Sequence, residues 1–289
     1  MPELLRNSET SKIPALEVLE RVGMNCLSQD LRQLSGGRSN SVWKANTDAG
    51  PYVVKLFRQR DDNPLFPNDA AQEQAALGHY RSFGLAPEIF AGGKNWVIYR
   101  YVEAFQWSSE AEKVGIALAK LHGVDRLATA RRLPSGSEAL DMQSERIIAL
   151  CRETLRAALP TLPARSIVPE FDGACGLHGD PVPANILCAE DRTLFIDWQC
   201  PAIGDPCEDI AIFLSPAMQV TYRGTALSDD EKQAFWDGYA NPGVQNRYER
   251  LKPYFHRRMI AYCLWRMAHR QENPVAALAA ERRAFFECS

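Results

Sequence analysis

The sequence predicts an α+β fold of two lobes, a small antiparallel sheet with one main helix over residues 1–102 and a larger, mostly helical lobe over residues 103–289. Three observations carry this. Apolar residues alternate along short runs up to Val102 and recur at helical spacing after it, so the change of period marks a boundary between sheet and helices. A chain of 289 residues exceeds the usual domain size of roughly 100 to 200 residues and can bury the cores that two lobes need. Between Gly176 and Asp209, the polar residues His178, Asp180, Asn185, Asp197, Asp205 and Asp209 are separated by short apolar groups. Two of these groups, Ile186-Leu187 and Leu194-Phe195-Ile196, read as buried strands bounded by turns.

Residues 1–30 give a polar lead-in and a short helix with Leu16, Leu19 and Val22 on one face. From Leu34 to Ala45, glycines and small polar residues run into an apolar alternation; residues 46–50 read as a turn and Pro51 to Phe57 as a second strand. This is a hairpin whose tip contains Ser35, Gly36, Gly37, Ser39, Asn40 and Ser41. Glycine lacks the Cβ that blocks close approach, so such a tip suits backbone contact with phosphate oxygens, although glycine also serves an ordinary hairpin turn. Lys55 lies inside the second strand among Val53, Val54, Leu56 and Phe57, where an ammonium needs a partner. The next helix, capped by Asn68 or Asp69 and ended by Gly84 and Pro87, offers one, because Glu73 falls on the turn facing the sheet. A Lys55–Glu73 pair would hold the ammonium ready for nucleotide phosphates; a solvated Glu73 beside a snorkelling Lys55 is the structural alternative.

Trp96 to Val102 reads as a further strand, and residues 103–105 as the passage into the helical lobe. Ser109 to His122 is expected to be a helix, with Ser109 and Glu112 as a capping box, Val114, Leu118 and Leu121 as its buried stripe, and His122 as a packing or capping residue. A second helix is expected from Glu138 to Leu159, with Ile147, Leu150, Leu155 and Leu159 facing inward. Beyond the acidic stretch, helices are expected over 229–239, 247–270 and 274–286. The aromatics Tyr222, Trp236, Tyr239, Tyr254, Tyr262 and Trp265 in that region either fill the core or line a pocket for a cationic group.

A net charge of -3 is far from the basic balance of a nucleic-acid binder, which sets nucleic acid aside as a partner. No apolar run approaches the roughly 20 residues that span a bilayer. The first residues, MPELLRNSETSKIP, lack the apolar centre of a signal peptide, so no membrane partner and a cytoplasmic location are expected. The eight cysteines are scattered without a CxxC pair, which points away from zinc and from a disulfide framework and toward reduced, mostly buried thiols.

A glycine hairpin, a strand lysine, a helix glutamate, Asp-x4-Asn and a later strand Asp follow one another in the order that a kinase-type phosphotransfer site needs. Three motifs lie along that order: His178-Gly-Asp-Pro-Val-Pro-Ala-Asn-Ile-Leu187, Phe195-Ile-Asp-Trp-Gln199 and Gly204-Asp-Pro-Cys-Glu-Asp-Ile-Ala211. Through them the chain resembles the aminoglycoside phosphotransferase and choline kinase superfamily, which is related to protein kinases, over about 34–214. The matching signatures are H-G-D-x4-N-hydrophobic, I-D-W/F-E and G-D-P-x2-D-hydrophobic-A.

The resemblance implies a protein-kinase-like fold and an enzyme that uses ATP (or GTP) and Mg2+ to phosphorylate a small-molecule alcohol such as choline, ethanolamine, thiamine or an aminoglycoside. It makes Asp180 the catalytic residue facing the acceptor hydroxyl, and Asn185 and Asp197 the magnesium ligands. It places Lys55 on the nucleotide phosphates with Glu73 orienting it, and Ser35, Gly36, Gly37, Ser39, Asn40 and Ser41 over them. His178, Asp205 and Asp209 become structural support. Pro181, Pro183 and Gln199 depart from the family pattern without removing a metal ligand.

Two other classes compete. A metal-dependent phosphoesterase using His178, Asp180, Asn185 and Asp197 would be indifferent to Lys55, and a catalytically silent nucleotide-binding relative would fail an ATPase assay. With a reference pKa of about 3.9, Asp180 reads as a group that orients the hydroxyl and takes its proton late, since a loose phosphoryl-transfer transition state asks little activation of the nucleophile. As to the acceptor, Gly36-Gly37-x-Ser39-Asn40 leans toward the choline and thiamine side. The region from Leu214 onward, with 11 Lys and Arg against 8 Asp and Glu, leans away from aminoglycosides.

Overall fold

The alternating segment before Val102 folds as β1 (Leu31–Gln33), β2 (Ser41–Thr47), β3 (Gly50–Leu56), β4 (Ile89–Gly93) and β5 (Trp96–Arg100), paired antiparallel in the order β1-β2-β3-β5-β4. The computed structural model describes residues 13–34, 40–58, 63–162, 167–189, 192–269 and 274–288. Strand β3 is central, and its Lys55 stands opposite Val42 on one side and Val97 on the other. The period of two then sorts its side chains. Tyr52 and Val54 join a core with Trp43, Trp96 and helix α1 (residues 13–21), whereas Val53 and Phe57, on the Lys55 face, join the main core. Strand β4 has no counterpart in the sequence-based expectation, because a five-residue run ending in two glycines carries little strand signal until β5 pairs with it.

Helix α2 (Ala70–Tyr80) crosses the sheet, and Asp69 caps it by accepting from the backbone N–H groups of Ala71 and Gln72. Ala76, Leu77 and Tyr80 bury its inner face, and Glu73 lies on that same side with no exposed surface. Two small sheets follow. The first contains β6 (Phe105–Gln106), β9 (Ile186–Cys188) and β10 (Thr193–Phe195), and the second β7 (Arg131–Arg132), β8 (Cys175–Leu177) and β11 (Ala202–Gly204).

The helical part comprises α3 (Ala111–Gly123), α4 (Ser137–Ala149), α5 (Glu153–Arg156), α6 (Cys207–Leu214), α7 (Pro216–Arg223), α8 (Asp229–Tyr239), α9 (Pro242–His269) and α10 (Val275–Glu287). Val114, Leu118 and Leu121 form the buried stripe of α3 as expected. The 28-residue α9 is the spine of this part. Its Arg258 is buried and grips Glu208 of α6 through the two terminal guanidinium nitrogens, at 3.1 and 2.7 Å. Among the described residues no helix is long and apolar enough to cross a membrane, and all eight cysteines are free thiols.

Three helical expectations are corrected. The helix placed over Glu138 to Leu159 is two helices, α4 and α5, because the Arg156 guanidinium turns back to the carbonyls of Ala149 and Cys151 and closes the end of α4. Leu150 consequently sits at the break and is exposed rather than inward. Ser109 and Glu112 form no capping box: α3 starts after Glu110, whose backbone is left-handed, and no side chain caps it. A capping box forms instead at Ser228 and Glu231, ahead of α8. Helix α9 begins at Pro242, ahead of the expected 247.

Candidate active site

Lys55 points from the central strand into a cleft between the sheet and the helical part, where its ammonium bonds both Glu73 of α2 and Asp197 of the segment after β10. Lys55 and Glu73 are buried, while 30% of the Asp197 side chain remains exposed. Burial opposes the ammonium, yet the charges of Asp197 and Glu73 outweigh it and hold the Lys55 pKa above its ordinary value. Burial also pushes the Glu73 carboxyl up to about 7, against the pull of Lys55 and with the charge of Asp197 adding to it. Glu73 Oε1 is buried without a hydrogen-bond partner, so Lys55 alone, through Oε2, neutralises this carboxylate. Asp197 itself has φ 64, a left-handed conformation uncommon outside glycine. The flanking bonds enforce that turn: Ile196 donates its N–H to the Asn185 carbonyl at 2.9 Å, and Trp198 Nε1 donates to the Phe195 carbonyl at 2.9 Å.

The loop from His178 to Asn185 joins β8 to β9 and faces Asp197. Gly179 turns it with φ 87, and a Cβ at that position would lie 2.1 Å from the Cys200 carbonyl oxygen, which leaves room for glycine alone. Asp209, at the start of α6, accepts the backbone N–H groups of His178 and Gly179, both at 2.8 Å. His178 bridges the two sides of the site. Its Nδ1 accepts the Asp180 N–H at 3.2 Å and its Nε2 donates to the Ile196 carbonyl at 3.0 Å. Those partners require the neutral ring, and burial lowers the His178 pKa in agreement. Pro183 opens a 3-10 turn, Pro183–Asn185, and Asn185 Nδ2 donates to the Asp180 carbonyl at 2.9 Å and to Asp180 Oδ2 at 3.3 Å. Burial, with the charges of Asp197 and Asp209 behind it, raises the Asp180 carboxyl well above the usual carboxylate range. The proton affinity expected from a free aspartate is therefore too low for this one.

Above Lys55 lies a cavity of about 260 Å³. Leu34, Val42, Val53, Tyr99, Tyr101, Leu187 and Ile196 make its apolar walls, and Lys55, Asn185 and Asp197 line its polar side. An aromatic base with an anionic tail fits such a division of surface. The donor set suits a small divalent cation. Asp197 keeps one carboxylate oxygen clear of Lys55, and the hydrogen bonds of Asn185 run through Nδ2, leaving Oδ1 as a second hard ligand. Among the described residues no group of three His, Cys, Asp or Glu side chains is placed to hold a metal. Two protein oxygens completed by phosphate and water is the coordination that magnesium commonly takes in such sites.

The structure thus brings together Lys55, Glu73, His178, Asp180, Asn185, Asp197 and Asp209. Asp205 stands apart, accepting from the Cys207 N–H and from Arg247 at 2.7 Å, which ties the head of α6 to α9. Ser35, Gly36, Gly37 and Ser39 lie outside the described residues, and Ser41 opens β2 opposite Leu56. Asn40 is buried, and its amide is taken up by Asn68, Gln199 and the Arg58 N–H. His122, read from sequence as a packing or capping group, supports the loop through Asp209 at 3.2 Å, while the Tyr239 hydroxyl holds its other ring nitrogen at 2.8 Å. The expected aromatics divide. Trp236, Tyr239 and Tyr254 fill the main core, while Tyr262 and Trp265 pack with Phe66 in a second one. The Tyr262 hydroxyl accepts from Asn63 at 3.1 Å.

The model of the phosphotransferase enzyme family matches residues 30–254. Over 40 residues the chain is 45% identical to Protein LicA of Haemophilus influenzae, a match that spans 14% of this chain and 15% of that relative's length. A choline/ethanolamine kinase family protein from Mesorhizobium loti superposes with a TM-score of 0.60 at 19% identity, over 89% of this chain and 86% of the other. Macrolide 2'-phosphotransferase MphH from Brachybacterium faecium does so with 0.58 at 18% identity, over 94% and 97%. LicA in complex with AMP gives 0.60 at 16% identity, over 94% and 97%. The shared architecture is the protein-kinase-like α+β fold.

Proposed function

Since the chain belongs to the phosphotransferase enzyme family, we propose that it moves the γ-phosphoryl group of ATP (or GTP) to the hydroxyl of a small-molecule alcohol of the choline, ethanolamine, thiamine or aminoglycoside kind. Residues 1–102 form the nucleotide lobe and residues 103–289 the catalytic and acceptor lobe. The observation that carries the reading is Lys55, a buried ammonium set between two carboxylates at the polar end of an apolar cavity. Glu73 fixes its position. Asp197 is the partner that a divalent cation would claim, which turns the ammonium toward phosphate oxygens. A phosphoesterase has no need of this pair.

Asn185 and Asp197 would hold Mg2+, which when bound neutralises charge on the phosphoryl group in transit. Asp180 orients the acceptor hydroxyl in line and receives its proton. Its raised pKa makes the ionised carboxylate a stronger acceptor than a free aspartate, so general-base help is larger than the reference value implies. Asn185 holds Asp180 from below, and His178 fixes the Asp180 backbone against the Asp197 segment.

The test joins binding to turnover. A panel of metabolite alcohols is screened by thermal shift with an unreactive ATP analogue and Mg2+, and turnover is then followed with the best binder. Asp180→Asn is expected to lower turnover by about a hundredfold or more while nucleotide affinity stays near that of the parent. Equal loss of both would remove Asp180 from the chemical step.

A further inference from the structure

Asn40, Asn68 and Gln199 come from three distant parts of the chain and meet in one buried group of amides. Asn40 leads into β2, Asn68 precedes the cap of α2, and Gln199 follows Asp197 by two residues. Asn40 Nδ2 donates to Asn68 Oδ1 at 2.8 Å and to Gln199 Oε1 at 3.0 Å. Its Oδ1 accepts from Asn68 Nδ2 at 2.8 Å and from the Arg58 backbone N–H at 3.3 Å. A backbone N–H can only donate, so the Arg58 bond determines which end of the Asn40 amide is oxygen, and the orientations of the other two amides follow from it. Every hydrogen-bonding position of the Asn40 amide is used. The backbone carbonyl of Gln199 accepts the Asp69 N–H at 3.3 Å, which joins the Asp197 turn to the cap of α2 by a second, main-chain contact.

Each arm of this group lies next to a charged member of the candidate site. Arg58 lies two residues beyond the strand that carries Lys55, Asp69 caps the helix that carries Glu73, and Gln199 belongs to the turn that carries Asp197. The Lys55–Glu73 pair ties the strand to the helix, but no ionic contact can hold the Asp197 turn to them through a reaction cycle, because a cation on Asp197 and phosphates on Lys55 would replace the Lys55–Asp197 bond. The amide group carries no charge, and the Asn40 amide at its centre is fully taken up within the protein. We propose that Asn40, Asn68 and Gln199 are positioning residues, a neutral latch that keeps the Lys55 strand, the Glu73 helix and the Asp197 turn in register while the ionic contacts are exchanged for nucleotide and metal. The proposal rests on the nucleotide reading above.

The test uses the full chain and isothermal titration with ADP and Mg2+. Gln199→Leu removes the acceptor and leaves a buried Asn40 N–H unpaired, and is expected to weaken binding about tenfold. Gln199→Glu keeps an acceptor for that N–H, and is expected to stay within about threefold of the parent. Rescue by glutamate separates a specific hydrogen bond from loss of bulk, which a merely structural role would not. Should the leucine variant fail to fold, Asn40→Asp keeps the Arg58 contact, loses both donors, and carries the same expectation. Parent-like binding by Gln199→Leu, or a glutamate variant as weak as the leucine one, overturns the latch while the parent's own binding upholds the nucleotide reading. No binding by the parent itself overturns both.

Discussion

Glu73 sets the pH range over which Lys55 is held. Burial raises its carboxyl from an ordinary 4.5 to about 7. A carboxyl raised in this way binds its proton more tightly in the folded chain than in the unfolded one. Its contribution to stability is therefore fullest below about 4.5 and is lost as pH rises through about 7, whereas the ionised form that grips Lys55 predominates only above about 7. Stability and the grip on Lys55 pull in opposite directions at this residue. Nucleotide affinity is accordingly expected to fall about tenfold between roughly pH 8 and pH 6, and Glu73→Gln, neutral throughout, is expected to lack that fall. Phosphate groups titrate in the same range, with a second pKa of about 6, so the difference between the two proteins is what titration calorimetry must read. Identical profiles would show that Glu73 does not titrate there. Lys55 and Glu73 could be paired from sequence because an ammonium within an apolar strand demands a partner and the next helix carries a carboxylate on its inner turn. The left-handed Asp197 could not, since nothing in Phe195-Ile-Asp-Trp-Gln199 encodes a positive φ.

The loop that carries Asp180 is hung from helices on the far side of the site, and that suspension is where element packing reaches the chemistry. Asp209 of α6 holds two backbone N–H groups of the loop; His122 of α3 holds Asp209 in turn, and Tyr239 of α8 holds His122. The chain of contacts works only if α3 and α8 lie close together. They do so at Gly115, where a Cβ would stand 2.1 Å from the Phe235 carbonyl. His122→Leu keeps the volume but removes both bonds, and is expected to lower turnover about tenfold while nucleotide affinity stays within about twofold. Parallel loss of turnover and affinity would point instead to general loosening of the helical part. The support was hidden in the sequence for a physical reason. His122 lies 87 residues from Asp209 and 117 from Tyr239, and a lone histidine in the last turn of a helix reads as a cap. Local signals failed in the same way at the end of α4, where a helical period continues through Leu150 and it is the Arg156 side chain, reaching back to free carbonyls, that ends the helix. The motif spacings carried the loop itself because H-G-D-x4-N combines a backbone requirement at Gly179 with side chains whose separation is set by one tight turn.

At the scale of the whole molecule the five-stranded sheet and the helical part share one apolar core, to which Val53, Val97 and Tyr99 of that sheet, Ile186 and Phe195 of β9 and β10, and Ile210 and Phe213 of α6 all belong. The polar joint at the cleft is built on Lys55, with Asn40 and Gln199 beside it. A ligand that binds across this cleft stabilises the folded chain by mass action, by about 2.7 kcal/mol at a concentration a hundred times its dissociation constant. For a chain of this size that amounts to a rise of roughly 5 °C in the melting midpoint. ATP with Mg2+ is expected to produce that rise in the parent protein. Lys55→Met keeps the length of the side chain and removes the ammonium, so Glu73 takes up a proton and the bare variant melts at a temperature of its own. The comparison therefore rests on the shift each protein shows when ligand is added. The methionine variant is expected to shift by about 1 °C or less, because the apolar walls still receive the base while the phosphates have lost their cation. A shift in the methionine variant equal to that of the parent would place the nucleotide phosphates away from Lys55, and the assignment of the cleft would have to be given up.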